Sequence, residues 1–107
     1  MKLPRITHLQ FSVLASLRGG EQAGKAVRGQ LAELGLRRSG PAFYQLMSRL
    51  EDAGLVAGRY EQQVIDGQII KERVYAITGK GERAWQTTRD FYADTIRATE
   101  QTRAEGV

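Results

Sequence analysis

The stretch Ser39 to Leu55, SGPAFYQLMSRLEDAGL, carries both of its own ends and two chemically different faces, and it constrains the fold more than any other part of the chain. Ser39 suits a helix N-cap, whose side-chain oxygen accepts from an orphan backbone N–H, and Pro41 suits the first helical position. Gly54 followed by Leu55 is a glycine stop with an apolar clasp. Between them Phe43, Leu46, Met47, Leu50 and Ala53 recur at helical spacing as one apolar stripe. At about 100° per residue, Tyr44, Gln45, Ser48, Arg49 and Asp52 fall on the other side. A chain holding such a helix must bury one face and leave the other, which carries hydrogen-bonding groups and a guanidinium, for something else. Arg37 and Arg38 stand just before the helix start, where unpaired backbone N–H groups already favour a phosphate.

The flanking segments supply the cover that the apolar stripe demands. Thr7 is placed to cap a first helix over about residues 7–18, ended by Gly19 and Gly20, with Ile6, Leu9, Val13 and Leu17 as its main stripe. Phe11 and Ala15 lie off that stripe and give the helix a second apolar side, which points to a subunit contact. A second helix from about Ala23 to Leu34 is expected to bury Val27, Leu31 and Leu34 and to keep Lys25 and Arg28 outside. Leu34-Gly35-Leu36 repeats the glycine stop. The short link from Leu36 to Gly40 then makes the second and third helices a helix-turn-helix.

After Leu55 the apolar period changes from helical to alternating, and Asp66-Gly67 is a strong two-residue hairpin signal. Centring the turn there pairs Val56 with Ile77, Gly58 with Tyr75, Tyr60 with Arg73 and Val64 with Ile69. It puts Val56, Tyr60, Val64, Ile69, Tyr75 and Ile77 on one half-buried face. The same register sets Glu61 against Glu72, a mildly unfavourable pair that a bulge or a shifted tip would relieve. Thr78 is placed to cap a last helix running to about Ala104, with an apolar arc of Ala84, Trp85, Thr88, Phe91, Tyr92, Thr95, Ile96 and Thr99. At roughly 35 Å that helix outreaches the small core, so its distal half needs another partner. Trp85, Phe91 and Tyr92 read as core and subunit-seam packing.

Composition closes off most alternatives. A length of 107 residues gives one domain with a modest core. The chain has no cysteine and a single histidine, His8, which excludes a disulfide frame, a thiolate metal site and most zinc or triad arrangements. Carboxylates are scattered without an acid–base pair, and Gly79-Lys80-Gly81 is too short for a phosphate loop. Neither catalysis, a metal nor a cofactor is expected. The opening MKLPRITHLQFSVLASLRGG has a basic tip, but His8, Gln10 and Ser12 interrupt its apolar residues and no cleavage pattern follows. No run approaches membrane-spanning length, so a soluble, cytoplasmic protein is expected. The net charge of +4 is uneven: residues 1–50 hold eight basic and two acidic side chains, residues 51–107 eight and ten. A basic front half points to a polyanionic partner. Twelve of the sixteen basic residues are arginine, which favours bidentate phosphate or guanine contacts. Three helices, a hairpin and a further helix make a chain that is mainly α with a small β hairpin. The order predicts a winged helix-turn-helix DNA-binding domain over residues 1–78, continuous with a C-terminal dimerisation helix over 79–107.

Specific residues suggest a family. The run Gly40-Pro-Ala-Phe-Tyr-Gln-Leu-Met-Ser-Arg-Leu-Glu-Asp-Ala-Gly-Leu-Val56 resembles the recognition-helix segment of PadR-like transcriptional regulators, whose pattern is near G-T-L-Y-x-x-L-x-R-L-E-x-x-G-L-I. Arg73-Val-Tyr-Ala-Ile-Thr-Gly-Lys-Gly81 is similar to the family's second wing strand and following cap, near K-Y-Y-x-L-T-x-x-G. The resemblance implies a homodimer joined through the first and last helices, binding an inverted-repeat operator on double-stranded DNA and usually repressing. Its short single C-terminal helix resembles the branch that lacks a longer dimerisation domain. Three positions depart from the pattern: Ala42 replaces a frequent threonine able to touch a phosphate, Ser48 a frequent lysine and Lys25 a common tyrosine. The wing tip, Val64-Ile-Asp-Gly-Gln-Ile-Ile70, is apolar and acidic where relatives are often basic.

A candidate site follows. In a helix-turn-helix, Gln45 and Arg49, one turn apart with Ser48 beside them, would read adenine and guanine in the major groove, each worth about 1–3 kcal/mol of discrimination. Tyr44 would pack its ring and reach a phosphate with its hydroxyl, as the resemblance implies. Arg37, Arg38 and Ser39, with Ala42 in the first turn, would meet the DNA backbone, and Lys71 and Arg73 on the wing strand extend the set. A subunit seam is expected at Phe11, Ala15, Trp85, Thr88, Phe91, Tyr92, Thr95 and Ile96. Some PadR-like relatives admit planar aromatic ligands at the dimer centre, so the resemblance implies that an effector would lie near Phe11, Trp85 and Tyr92. The alternative is a winged-helix protein-interaction adaptor, favoured by the apolar wing tip and opposed by the basic front half.

Overall fold

The computed structural model of the chain describes residues 3–106; Met1 and Lys2, from the basic tip, and Val107 lie outside the described residues. In chain order the elements are α1 (His8–Leu17), β1 (Gln22–Ala23), α2 (Gly24–Glu33), α3 (Gly40–Asp52), β2 (Val56–Ile65), β3 (Gln68–Ile77) and α4 (Gly79–Glu105). The strands form one antiparallel sheet in the order β1-β3-β2. Two-residue β1 has no period of its own. It is a strand only because β3 offers Val74 and Tyr75 as partners.

Local chemistry sets the helix ends. Thr7 and Gln10 form a reciprocal capping box at the start of α1, each side chain accepting from the other's backbone N–H at 3.0 Å. Ser39 caps α3, its hydroxyl accepting from the Ala42 N–H at 3.3 Å. Gly40 takes the first helical position and Pro41 the second, one place later than expected. Ser39→Ala is expected to cost about 1 kcal/mol, read as an earlier midpoint in urea with an unchanged slope. At the C-termini Gly35 and Gly54 turn left-handed, with φ of 78° and 75°. The Leu36 N–H then reaches the Leu31 carbonyl at 2.8 Å and the Leu55 N–H the Leu50 carbonyl at 2.9 Å.

That geometry corrects two core assignments. Leu34 and Ala53 are the C-cap residues of α2 and α3, so both are exposed, and the residues after each glycine, Leu36 and Leu55, pack inward instead. The core gathers Val13, Leu14 and Leu17 of α1, Val27 and Leu31 of α2, Phe43, Met47 and Leu50 of α3, and Val56, Tyr75 and Ala84. Each large apolar side chain so buried stabilises the fold by about 1.5–3 kcal/mol. Leu14, off the stripe read from the sequence, is fully buried because α1 packs on α2, β3 and α4 together.

The hairpin forms in the register that its turn chemistry predicts, from Val56 opposite Ile77 to Val64 opposite Ile69. Asp66 and Gly67 have φ of 51° and 77°, as a type I′ turn requires. Glu61 faces Glu72 without a bulge, and Arg59 Nη2 lies 3.7 Å from Glu61 to offset the repulsion. Burial is where the expectation fails. Val56, Val74 and Tyr75 are covered at the base, but Tyr60, Val64 and Ile69 are exposed, the last two at 73% and 68%. The helices reach only the foot of the ribbon, which projects beyond them as a wing.

The start of α4 locks onto the end of α3. Thr78 donates from its N–H to the Leu55 carbonyl at 3.1 Å and from its hydroxyl to the Gly54 carbonyl at 2.6 Å, while Lys80 Nζ donates to the Ala53 carbonyl at 2.9 Å. Carbonyls left unpaired at a helix C-terminus, and its partial negative charge, are thereby satisfied. Ala84 and Thr88 of α4 complete the core; from Arg89 to Gly106 every residue is exposed. At 27 residues the helix is about 40 Å long.

Candidate nucleic-acid interface

α3 buries Phe43, Met47 and Leu50 and exposes Tyr44, Gln45, Ser48, Arg49 and Asp52, the division its periodicity dictates. Among the described residues, the side chains of Gln45, Ser48 and Arg49 form no hydrogen bond or ion pair within the chain. The Tyr44 ring packs edge-on against Phe43, centroids 5.1 Å apart, and remains partly exposed. Gly24 opens α2 where a Cβ would stand 3.1 Å from the Tyr75 ring and 3.3 Å from that of Tyr44, so the glycine lets α2 approach both.

Beside the N-terminus of α3 lies a basic corner. Arg28 Nε donates to the Arg38 carbonyl at 3.0 Å, and Arg38 Nη1 to the Arg37 carbonyl at 3.0 Å. Lys25, Arg28, Arg37, Arg38 and Ser39 thus border a shallow depression of about 520 Å³. None of the four cations is in an ion pair among the described residues. An arginine has five N–H donors, so one internal bond leaves it able to take a phosphate. Sequence periodicity puts Lys25 and Arg28 outside the second helix and says no more. Their i, i+3 spacing on the polar side of α2 is the signal that brings both to this corner.

On the other side of α3, Tyr44 and Ser48 face Tyr60, Lys71 and Arg73 across a groove of about 470 Å³. Lys71 is exposed and, among the described residues, without an ion pair. Arg73, expected beside it as a DNA contact, is bound within the chain: its Nη2 lies 2.9 Å from both carboxylate oxygens of Glu51. Burial opposes the charge on Arg73, but the Glu51 carboxylate and the Tyr75 hydroxyl outweigh it and hold the guanidinium above the ordinary arginine range. Burial likewise pushes the Tyr75 phenol up.

The residues expected at a subunit seam divide. Phe11 stacks on Trp85, centroids 5.8 Å apart and planes 12° apart, and the Arg18 guanidinium lies 3.6 Å from the Trp85 ring centre. Arg18 is held there by Glu82 at 2.8 Å. Thr88 is buried inside the protomer, its hydroxyl donating to the Ala84 carbonyl at 2.7 Å, and so is not an open seam residue. Ala15, Phe91, Tyr92, Thr95 and Ile96 are exposed. Among the described residues no helix is long and apolar enough to cross a membrane.

No model of a sequence family matches the chain, and no curated protein does. Solved structures do. A PadR family transcriptional regulator from Eggerthella lenta is 25% identical with a TM-score of 0.69, over 87% of this chain and 79% of that one. A PadR family transcription regulator from Clostridium difficile has a TM-score of 0.74 at 15% identity, over 89% and 97%. Bacillus subtilis PadR, solved in complex with operator DNA, is 24% identical with a TM-score of 0.63, over 75% of this chain and 45% of that one. Over 75–89% of its length the chain has the winged-helix fold of these proteins, and it is the PadR-like family of transcriptional regulators that it resembles.

Proposed function

We propose that the chain is a sequence-specific DNA-binding transcriptional regulator that acts as a homodimer and represses. The observation that carries this reading is the outer face of α3, where Gln45, Ser48 and Arg49 are exposed and unpaired between a basic corner and a wing. Laid in a major groove, Gln45 and Arg49 match the edges of adenine and guanine, while Lys25, Arg28, Arg37 and Arg38 meet phosphates on one flank and Lys71 on the other. The exposed apolar side of α4 beyond Arg89 supplies a seam for a second copy, which would fix the spacing of two half-sites. A planar aromatic effector belongs to the same reading, with the Phe11–Trp85 stack and Tyr92 as the flat surfaces beside that seam.

Fluorescence anisotropy with the chain's own upstream DNA, titrated with salt and challenged by unrelated duplex, tests it. Arg49→Ala is expected to relax sequence preference by about 1–3 kcal/mol at one position. Arg38→Ala is expected to weaken all duplexes alike and to flatten the salt slope by about 0.9. Wild-type affinity in both variants would put the DNA on another face. The exposed Val64 and Ile69 favour a second reading, an adaptor that binds protein through its wing. It predicts no preference for any duplex.

A further inference from the structure

Arg73 sits where a wing cation would touch DNA, yet its surroundings give it other work. Glu51, in the last turn of α3, takes it with both carboxylate oxygens, and each side chain is only 26% exposed. The guanidinium lies 4.8 Å from the Tyr60 ring and 5.7 Å from that of Tyr75. On the facing strand, Gly58 leaves room for the pair: a Cβ there would stand 2.6 Å from Glu51 Oε1 and 3.0 Å from Arg73 Nη2. Among the described residues this is the one ion pair that ties α3 to the wing.

We propose that Glu51, Arg73 and the bare Gly58 form a clamp that sets the pitch of the wing against α3, and that Arg73 is a positioning residue rather than a phosphate contact. The proposal rests on the DNA-binding reading for its consequence, though not for its geometry. A carboxylate and a guanidinium held together carry no net charge, so the pair releases no counterions, and a phosphate drawn to Arg73 would also meet Glu51. The wing needs such a tie. Beyond Arg73 the ribbon runs about 20 Å to its turn, at about 3.3 Å per residue, with Val64, Ile65 and Ile69 exposed along it. Over that length a swing of about 10° at the foot moves the tip by about 3.5 Å, the axial step of one base along a strand.

A double-mutant cycle of Glu51→Gln and Arg73→Gln, followed by salt-titrated anisotropy, separates clamp from contact. The clamp predicts that each single variant weakens operator binding by about tenfold, that the double variant is no worse than either, and that the salt slope stays at the wild-type value. Arg73→Lys, which keeps the charge but loses the flat guanidinium beside the Tyr60 and Tyr75 rings, restores only part of the affinity. If Arg73 touched a phosphate, Arg73→Gln would lower the slope by about 0.9 and Glu51→Gln would tighten binding, and either result overturns the proposal. Amide hydrogen exchange on the DNA-free protein reads the clamp independently. Faster exchange over residues 59–73 in Glu51→Gln, with α1 and α2 unchanged, is the expected result, and unaltered exchange there overturns it. Should the wild type bind no duplex at all, the DNA reading fails while exchange still decides the clamp, and Glu51→Gln carries that measurement even if Arg73→Gln does not fold.

Discussion

Gly81→Ala is expected to destabilise the chain by about 3 kcal/mol and to lower its Tm by on the order of 15 °C. Gly81 is buried in the first turn of α4, where that helix crosses the junction of α3 and β2. A Cβ there would stand 2.0 Å from the Leu55 carbonyl oxygen and 2.9 Å from Ile77 Cγ1. The carbonyl cannot retreat cheaply, because it accepts from the Thr78 N–H while the Leu55 N–H closes the last turn of α3. The helix must lift instead, drawing Ala84 and Thr88 off the core. Gly29→Ala in α2 is the control. Apart from its own turn of helix, nothing lies within 4 Å of the added Cβ there, and relief from a mid-helix glycine should stabilise by about 0.5–1 kcal/mol. Thermal melts of the two variants moving in opposite directions are the expected outcome; a wild-type Tm in Gly81→Ala would rule out the close crossing of α4 over Leu55.

The second large effect is expected at Ile96. Phe91, Tyr92 and Ile96 are 46%, 56% and 57% exposed on one side of α4, past the last residue that its own core covers. If a second copy covers them, Ile96→Glu puts a carboxylate into an apolar seam and leaves it unpaired, a change that costs several kcal/mol. Sedimentation equilibrium should then show a monomer where the wild type is a dimer. Affinity for a two-half-site operator should fall by about 10²-fold or more, because the second half-site is no longer bound within the same complex. Binding to a single half-site should stay as it was, since Gln45 and Arg49 lie on another element. A monomeric wild type, or a dimer that survives the substitution, would remove the α4 seam and with it the two-half-site geometry.

What could be read from the residues is what local chemistry decides. Asp66-Gly67 sets the hairpin register because the left-handed turn admits few other residues, and every β2–β3 residue pair follows from it. The Thr7, Ser39 and Thr78 caps are equally local, each a hydroxyl three residues from the N–H it accepts. Leu36 takes the inward place that the periodicity gives Leu34, two positions earlier, since whether a leucine before or after a glycine turns inward depends on where the helix releases it. The exposure of Tyr60 and Val64 was out of reach for a different reason: alternation says which residues share a face, not how far neighbouring helices extend over it. The Glu51–Arg73 pair lies furthest from local legibility. Its partners are 22 residues apart, and no local pattern joins them.

The ribbon also has a free margin. β2 pairs on one side only, leaving the outward N–H and C=O groups along its length as a template on which a second strand could grow, with exposed Val64 and Ile65 near its end. Here the Glu61–Glu72 pair, a small burden within one hairpin, becomes a guard. Stacked hairpins in register would bring like carboxylates together at about 4.8 Å per layer, so repulsion accumulates with every chain added. Charge set against its own copies, rather than burial, thus opposes growth on that edge, in part countered by Arg59 beside Glu61.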